Sequence, residues 1–285
     1  MIPRSARRFG GFSLLAIIAA AAALTVSPAE ITACLGVDKA YADWAAIARE
    51  KAMMSEEAWH SACRQTRDAN ARRVSAIRTL LATGASPVGG FPAATAQLAN
   101  ARKAADPTVA ELFRVVAVEQ AAREGLRSGP VNAGISPLAM RLYRAVVAVD
   151  ATNADIRSRA WLKPVIARRG WFTISRDGAE ADKAAQLIVQ HADADVTFKG
   201  EMIALMEPLV EAGESDRGFF PYMYDRWAAQ AGKPLRFGFQ GACKSKGVWE
   251  PLPIEDPEHL DERRRRYGVT RSFAEEKSLN SARCP

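Results

Sequence analysis

The sequence lacks the signatures of the commoner enzyme classes. Neither G-x-S-x-G, H-E-x-x-H nor a phosphate-binding glycine loop occurs in the 285 residues, which removes the nucleophile-elbow, zincin and P-loop routes to catalysis. There are only four cysteines, Cys34, Cys63, Cys243 and Cys284, and none has zinc-ligand spacing, so no metal site is expected and no cofactor is implied. No apolar run beyond the amino terminus is long enough to span a membrane, and no low-complexity tract interrupts the chain. Net charge is also modest. Of the formal +7, three charges are arginines within residues 1–29, which hold no acid, leaving about +4 for the rest. The run Arg263-Arg264-Arg265-Arg266 is flanked by Glu255, Asp256, Glu258, Asp261, Glu262, Glu275 and Glu276, the pattern of a solvated helix face, so no nucleic-acid partner is expected.

What is present begins with an export signal. Arg4, Arg7 and Arg8 precede an apolar run over residues 12–26, and Ser27-Pro28-Ala29 supplies the small residues a signal peptidase reads. Cleavage after Ala29 leaves an even cysteine set in an oxidising compartment, which predicts at least one disulfide that includes Cys243 or Cys284. Residues 31–34 also look like a lipobox ending at Cys34, and a third cut is available after residues 40–42. The expected location is periplasmic or secreted, with anchoring through residues 12–26 or lipidation at Cys34 as alternatives. Membrane contact is expected only through that amino-terminal segment.

With 48% hydrophobic residues the remainder can bury a sizeable core. Helical periodicity runs over residues 43–81, with a break near Ser55, and again up to Ala105, where Asp106-Pro107 marks the best boundary. Asp106 or Thr108 can cap a third helix over 109–126, and Ser136-Pro137 starts a fourth that runs to Ala151 or beyond. A fifth covers 153–169, with Gly170 placed to end it. Later helices follow from Phe198 to Gly213 and over 219–231. Leu235-Arg236-Phe237-Gly238-Phe239-Gln240 alternates like a strand that can pair with 248–252, and Asp256-Pro257 looks like the cap and first residue of a helix ending at Gly268. The expected fold is mainly α, a helical domain with a small C-terminal β-hairpin. The expected organisation is a signal at 1–29, a helical extension at 30–106, a domain at 107–276 and a tail at 277–285.

The chemistry concentrates in residues 178–198. There an amphipathic helix, with Asp177 and Glu180 placed as a capping box, runs into Gln190-His191-Ala192-Asp193-Ala194-Asp195, the QHAD segment. Ala184, Leu187, Ile188 and His191 share a stripe, so the imidazole points inward, where Asp193 or Asp195 can orient it. Asp193 opposes the helix dipole and needs a compensating donor, for which Gln240 and Arg264 are the candidates. Together with Phe237-Gly238-Phe239-Gln240 and Pro253-Ile254-Glu255-Asp256-Pro257, the segment resembles a bacterial domain-of-unknown-function family, the one numbered 6624, over about residues 111–276. Its members usually carry Tyr-Gly-Thr-Gln at 237–240 and proline at the position of Val196, which implies that Asp195 caps the next helix. The resemblance brings no established reaction.

Two functions are therefore carried forward. One is a binding or interaction module whose partner is a protein, an envelope polymer or a small ligand, with Gln240, Arg264 and Asp256 as ligand-binding candidates. The other is a hydrolase-like enzyme with His191 as general base and Asp193 orienting it.

Overall fold

A computed structural model describes residues 28–35, 51, 54–86, 90–125 and 134–285. The apolar run at 12–26, the alternative cleavage site at 40–42 and the expected end of the third helix at 126 lie outside them. The fold is mainly α with a small C-terminal β-hairpin, as the sequence predicts. Among the described residues no helix is long and apolar enough to cross a membrane. The chain forms two compact units: the described parts of residues 1–76 and 125–150, and those of 77–124 and 151–285.

The first unit holds α1 (Pro28–Leu35), most of α2 (Glu56–Thr83) and the first part of α5 (Pro137–Arg169). Ser55 breaks the periodicity where expected, its hydroxyl accepting the Ala58 N–H at 3.2 Å as α2 begins. Trp59, Ala62 and Cys63 pack on Ala139, Leu142 and Val146, and a Cys34–Cys63 disulfide ties α1 to α2. Arg73 is buried and pairs with Asp150.

The second unit contains α3 (Pro92–Lys103) and α4 (Pro107–Glu124), joined by the tight Asp106 connection. Asp106 Oδ1 accepts the Thr108 and Val109 N–H groups at 2.6 and 3.1 Å, so Asp106 rather than Thr108 caps α4. The two helices expected over 137–151 and 153–169 are one helix of 33 residues, α5, because no glycine or proline between Leu138 and Lys163 stops it. Gly170, at φ +75°, ends it as predicted.

After α6 (Ile174–Asp177) and Gly178, α7 (Ala179–His191) carries the QHAD segment, followed by α8 (Val196–Glu211) and α9 (Phe220–Gln230). The capping box read at Asp177 does not form. Asp177 closes α6 and accepts from Arg169 Nη2 at 2.5 Å and Arg176 Nη2 at 2.8 Å, leaving Gly178 at the start of α7. Val116, Leu162, Phe172, Ile188, Phe198 and Phe220 lie in one continuous core.

The strand read at residues 235–240 is absent. Asp225 of α9 gathers the N–H groups of Arg236 (2.8 Å), Phe237 (3.0 Å) and Phe239 (2.7 Å), which takes these donors away from any sheet ladder. Gly238 sits at φ +75°, outside the strand region. The hairpin lies further on, β1 (Gly241–Ser245) pairing antiparallel with β2 (Val248–Pro251). A Cβ at Gly238 would lie 2.7 Å from the Phe273 ring as well as straining the backbone. Gly238→Ala is expected to cost about 2 kcal/mol, read as a lowered urea midpoint at unchanged slope.

A second disulfide, Cys243–Cys284, fastens the hairpin to the chain's end after α10 (Leu260–Arg266) and α11 (Phe273–Ser281). Two disulfides fit an oxidising, extracytoplasmic environment. Peptide mapping without reductant is expected to recover 34–63 and 243–284 linkages; four free thiols or crossed pairs would contradict the fold.

Candidate functional site

The site grows from the carboxyl end of α7. His191 lies on the inward stripe as expected, but its partner is Glu119 of α4, whose Oε1 is hydrogen-bonded to His191 Nδ1. Glu119 is fully buried, while the His191 side chain keeps 18% of its surface exposed. The other oxygen, Oε2, accepts from the buried Ser158 hydroxyl at 2.7 Å. Arg123, one turn along α4, brings Nη1 within 3.5 Å of Glu119 Oε1 and donates through Nη2 to Asp155 Oδ1. Burial pushes the Asp155 carboxyl above its ordinary range, against the opposing hydrogen bond and charge of Arg123. The orienting carboxylate is thus neither Asp193 nor Asp195, both of which are engaged elsewhere.

Asp193 is a structural acceptor. Arg226 of α9 holds it two-handed, Nε to Oδ1 at 2.9 Å and Nη2 to Oδ2, while Lys199 Nζ (2.5 Å) and Gln230 Nε2 (2.9 Å) also donate to Oδ1. Lys199 of α8 is fully buried and donates as well to Gln190 O and Gln230 Oε1, at 3.0 and 3.2 Å. It therefore ties the end of α7 to α8 and α9. Burial pushes the Lys199 ammonium below its ordinary range, and the Asp193 carboxylate opposes that shift. Asp155 also acts on Lys199 through its charge, which links the two networks.

Burial alone would raise the Asp193 pKa, but hydrogen bonds from Arg226, Lys199 and Gln230 outweigh it and hold the carboxyl well below its ordinary value. A group with a depressed folded-state pKa stabilises the fold fully above its unfolded value, near 3.8 here, and loses that contribution as pH falls towards the folded value. Urea midpoints measured from pH 6 to pH 2 are expected to drop below about pH 4, with the drop reduced in Asp193→Asn. An unchanged acid limb in that variant would contradict the assignment.

The remaining predicted residues have local roles. Asp195 caps α8, accepting the Phe198 N–H at 3.0 Å. The compensating donors for Asp193 are not Gln240 and Arg264. The buried Arg264 donates Nη1 to Phe237 O and Nε to Arg271 O (3.1 Å), with its guanidinium 4.6 Å from the Phe239 ring centre. Its donors are used to hold backbone carbonyls, which is why it does not reach the QHAD carboxylate. Gln240 joins the hairpin, its carbonyl accepting the Leu252 N–H at 3.0 Å. Asp256 does not cap a helix through its side chain. It sits at φ +45° before a 3-10 turn (Pro257–His259), and its carboxylate takes the His259 Nδ1 hydrogen bond at 2.9 Å. That bond holds the exposed Asp256 carboxyl below its ordinary range and His259 above its own.

Glu119, Asp155, Ser158 and Arg123 were missed by sequence reading. One signal was available: Glu119 follows Val115-Val116-Ala117-Val118 and precedes Gln120-Ala121-Ala122, an acid set in the apolar stretch of its helix. Asp182 of α7 and Asp225 of α9 are buried in the same way. Asp182 accepts from Trp171 Nε1 (2.7 Å), Ser215 Oγ (2.6 Å) and the Asp216 N–H (2.7 Å). Burial pushes both carboxyls up despite these donors.

No family model, curated protein or solved structure matches the chain.

Proposed function

We propose that the chain is an exported binding module of the cell envelope, whose polar recognition site lies where His191 meets Asp155 and Arg123. One contrast carries this reading. The QHAD carboxylates are occupied by the protein's own donors, whereas the His191 ring is anchored at one nitrogen by a buried glutamate and keeps an exposed edge. A fixed imidazole beside a guanidinium and a carboxylate suits a polar ligand rich in hydroxyl and carboxylate groups, as an envelope polymer is. Sedimentation of the chain with purified insoluble cell-wall polymer supplies the test. The expected result is saturable retention that falls about tenfold in His191→Ala, the loss of one charge-assisted hydrogen bond of about 1.4 kcal/mol. Retention equal in the two proteins contradicts the reading.

A second reading, a hydrolase-like enzyme, is favoured by one observation, the carboxylate–imidazole pair of Glu119 and His191. A buried carboxylate at Nδ1 fixes the ring so that the other nitrogen can accept a proton from water. Soluble fragments released from the same polymer, at a rate that falls about 10²-fold or more in His191→Ala, would favour this reading over simple binding.

A further inference from the structure

We propose that Glu119, Asp155 and His191 form a divalent metal site of the zinc type. One ligand atom from each of the three lies within 4.8 Å of the other two, so a single ion can be touched by all three at once. The set combines one imidazole nitrogen with two carboxylate oxygens. Three protein ligands leave a fourth, tetrahedral position for water or a ligand, the open coordination that separates reactive zinc sites from structural ones.

Three further features support the ligand set. Each residue comes from a different helix, α4, α5 and α7, so the geometry is fixed by packed elements rather than by a loop. Glu119 is held from behind by the Ser158 hydroxyl at 2.7 Å, the outer-shell hydrogen bond that orients a ligating carboxylate. His191 and Asp155 retain 18% and 17% side-chain exposure, which gives an ion a path from solvent to the fully buried Glu119.

The present hydrogen bonds show how an ion would be admitted. Asp155 engages Arg123 through Oδ1, and a carboxylate has a second oxygen with which to meet an ion. Around a tetrahedral ion with bonds of about 2.0 Å, ligand atoms stand about 3.3 Å apart. The Nδ1–Oε1 pair of His191 and Glu119 therefore opens slightly, and the ring takes the tautomer with its proton on Nε2, so that a neutral imidazole offers the Nδ1 lone pair to the ion.

The proposal concerns the same face as the binding reading but rests on the ligand set alone, and its test uses the metal alone. Full-length chain stripped with chelator is titrated with Zn²⁺ by calorimetry. The expected result is one saturable site per chain, weakened at least tenfold in His191→Ala and in Asp155→Asn. A His60→Ala/His259→Ala double variant, which removes the two exposed histidines that pair with Glu56 and Asp256, is expected to bind as tightly as the parent. Thermal melts of each metal-free variant confirm folding. Zn²⁺ is expected to raise the melting temperature of the parent and leave that of His191→Ala unmoved. No saturable binding by the parent, or parental affinity in both His191→Ala and Asp155→Asn, overturns the proposal. Failure to retain wall polymer, with zinc still bound through His191, would overturn the binding reading instead.

Discussion

Asp225→Ala is expected to lower stability by about 4 kcal/mol, the largest effect of any single change considered. Asp225 is fully buried, and its two oxygens accept the N–H groups of Arg236, Phe237 and Phe239. Removing the carboxylate leaves three donors without acceptors, of which the Phe237 bond is wholly buried. An unmade buried hydrogen bond costs about 1–3 kcal/mol, and water can recover only part of that where the donors reach the surface. Asp225→Asn keeps one oxygen and is expected to lose about half as much. Equilibrium urea unfolding of both variants reads the effect. A loss below about 1 kcal/mol for alanine would show that the 235–240 segment is held by something else.

Asp193→Ala is expected to cost about 3 kcal/mol. Its side chain is 39% exposed, so the arginine pair contributes little by itself. The cost comes from Lys199, which is completely buried and would keep only the Gln190 carbonyl and Gln230 amide oxygens as partners. An ammonium stripped of its counter-charge in the interior is the expensive outcome. Lys199→Met in the Asp193→Ala background removes that stranded charge, and the double variant is expected to recover part of the loss. Additive losses in the double-mutant cycle would contradict the coupling.

Local features were legible in the sequence because they depend on neighbours. The Asp106 cap, the break at Ser55, the stop at Gly170 and the existence of a hairpin all follow from residue types within a few positions, whereas the Asp195 cap was implied by the family resemblance. The hairpin's register was misread because alternation at 235–240 is also what a backbone wrapped around one buried carboxylate can show. Asp177 failed as a cap because Arg169 and Arg176 hold its carboxylate.

The site was only half legible. His191 was found from its place on an apolar stripe, but Glu119 and Asp155 lie 72 and 36 positions away on other helices, where no spacing rule connects them. The dipole argument at Asp193 correctly demanded a donor and named the wrong ones. Lys199 and Arg226 were passed over because a lysine six residues on and an arginine on a later helix have no local tie to the segment.

The division of labour inside the QHAD segment, Asp193 as a structural pin and His191 as the functional group, is tested most directly by the unfolding free energy of His191→Ala measured beside that of Asp193→Ala. When the imidazole is removed, Glu119 keeps the Ser158 hydroxyl and has the Arg123 guanidinium 3.5 Å from its other oxygen, ready to take the freed acceptor. The account predicts a loss under about 1 kcal/mol for His191→Ala against about 3 kcal/mol for Asp193→Ala. Equal losses, or a larger one at His191, would make His191 a structural pin and contradict the account.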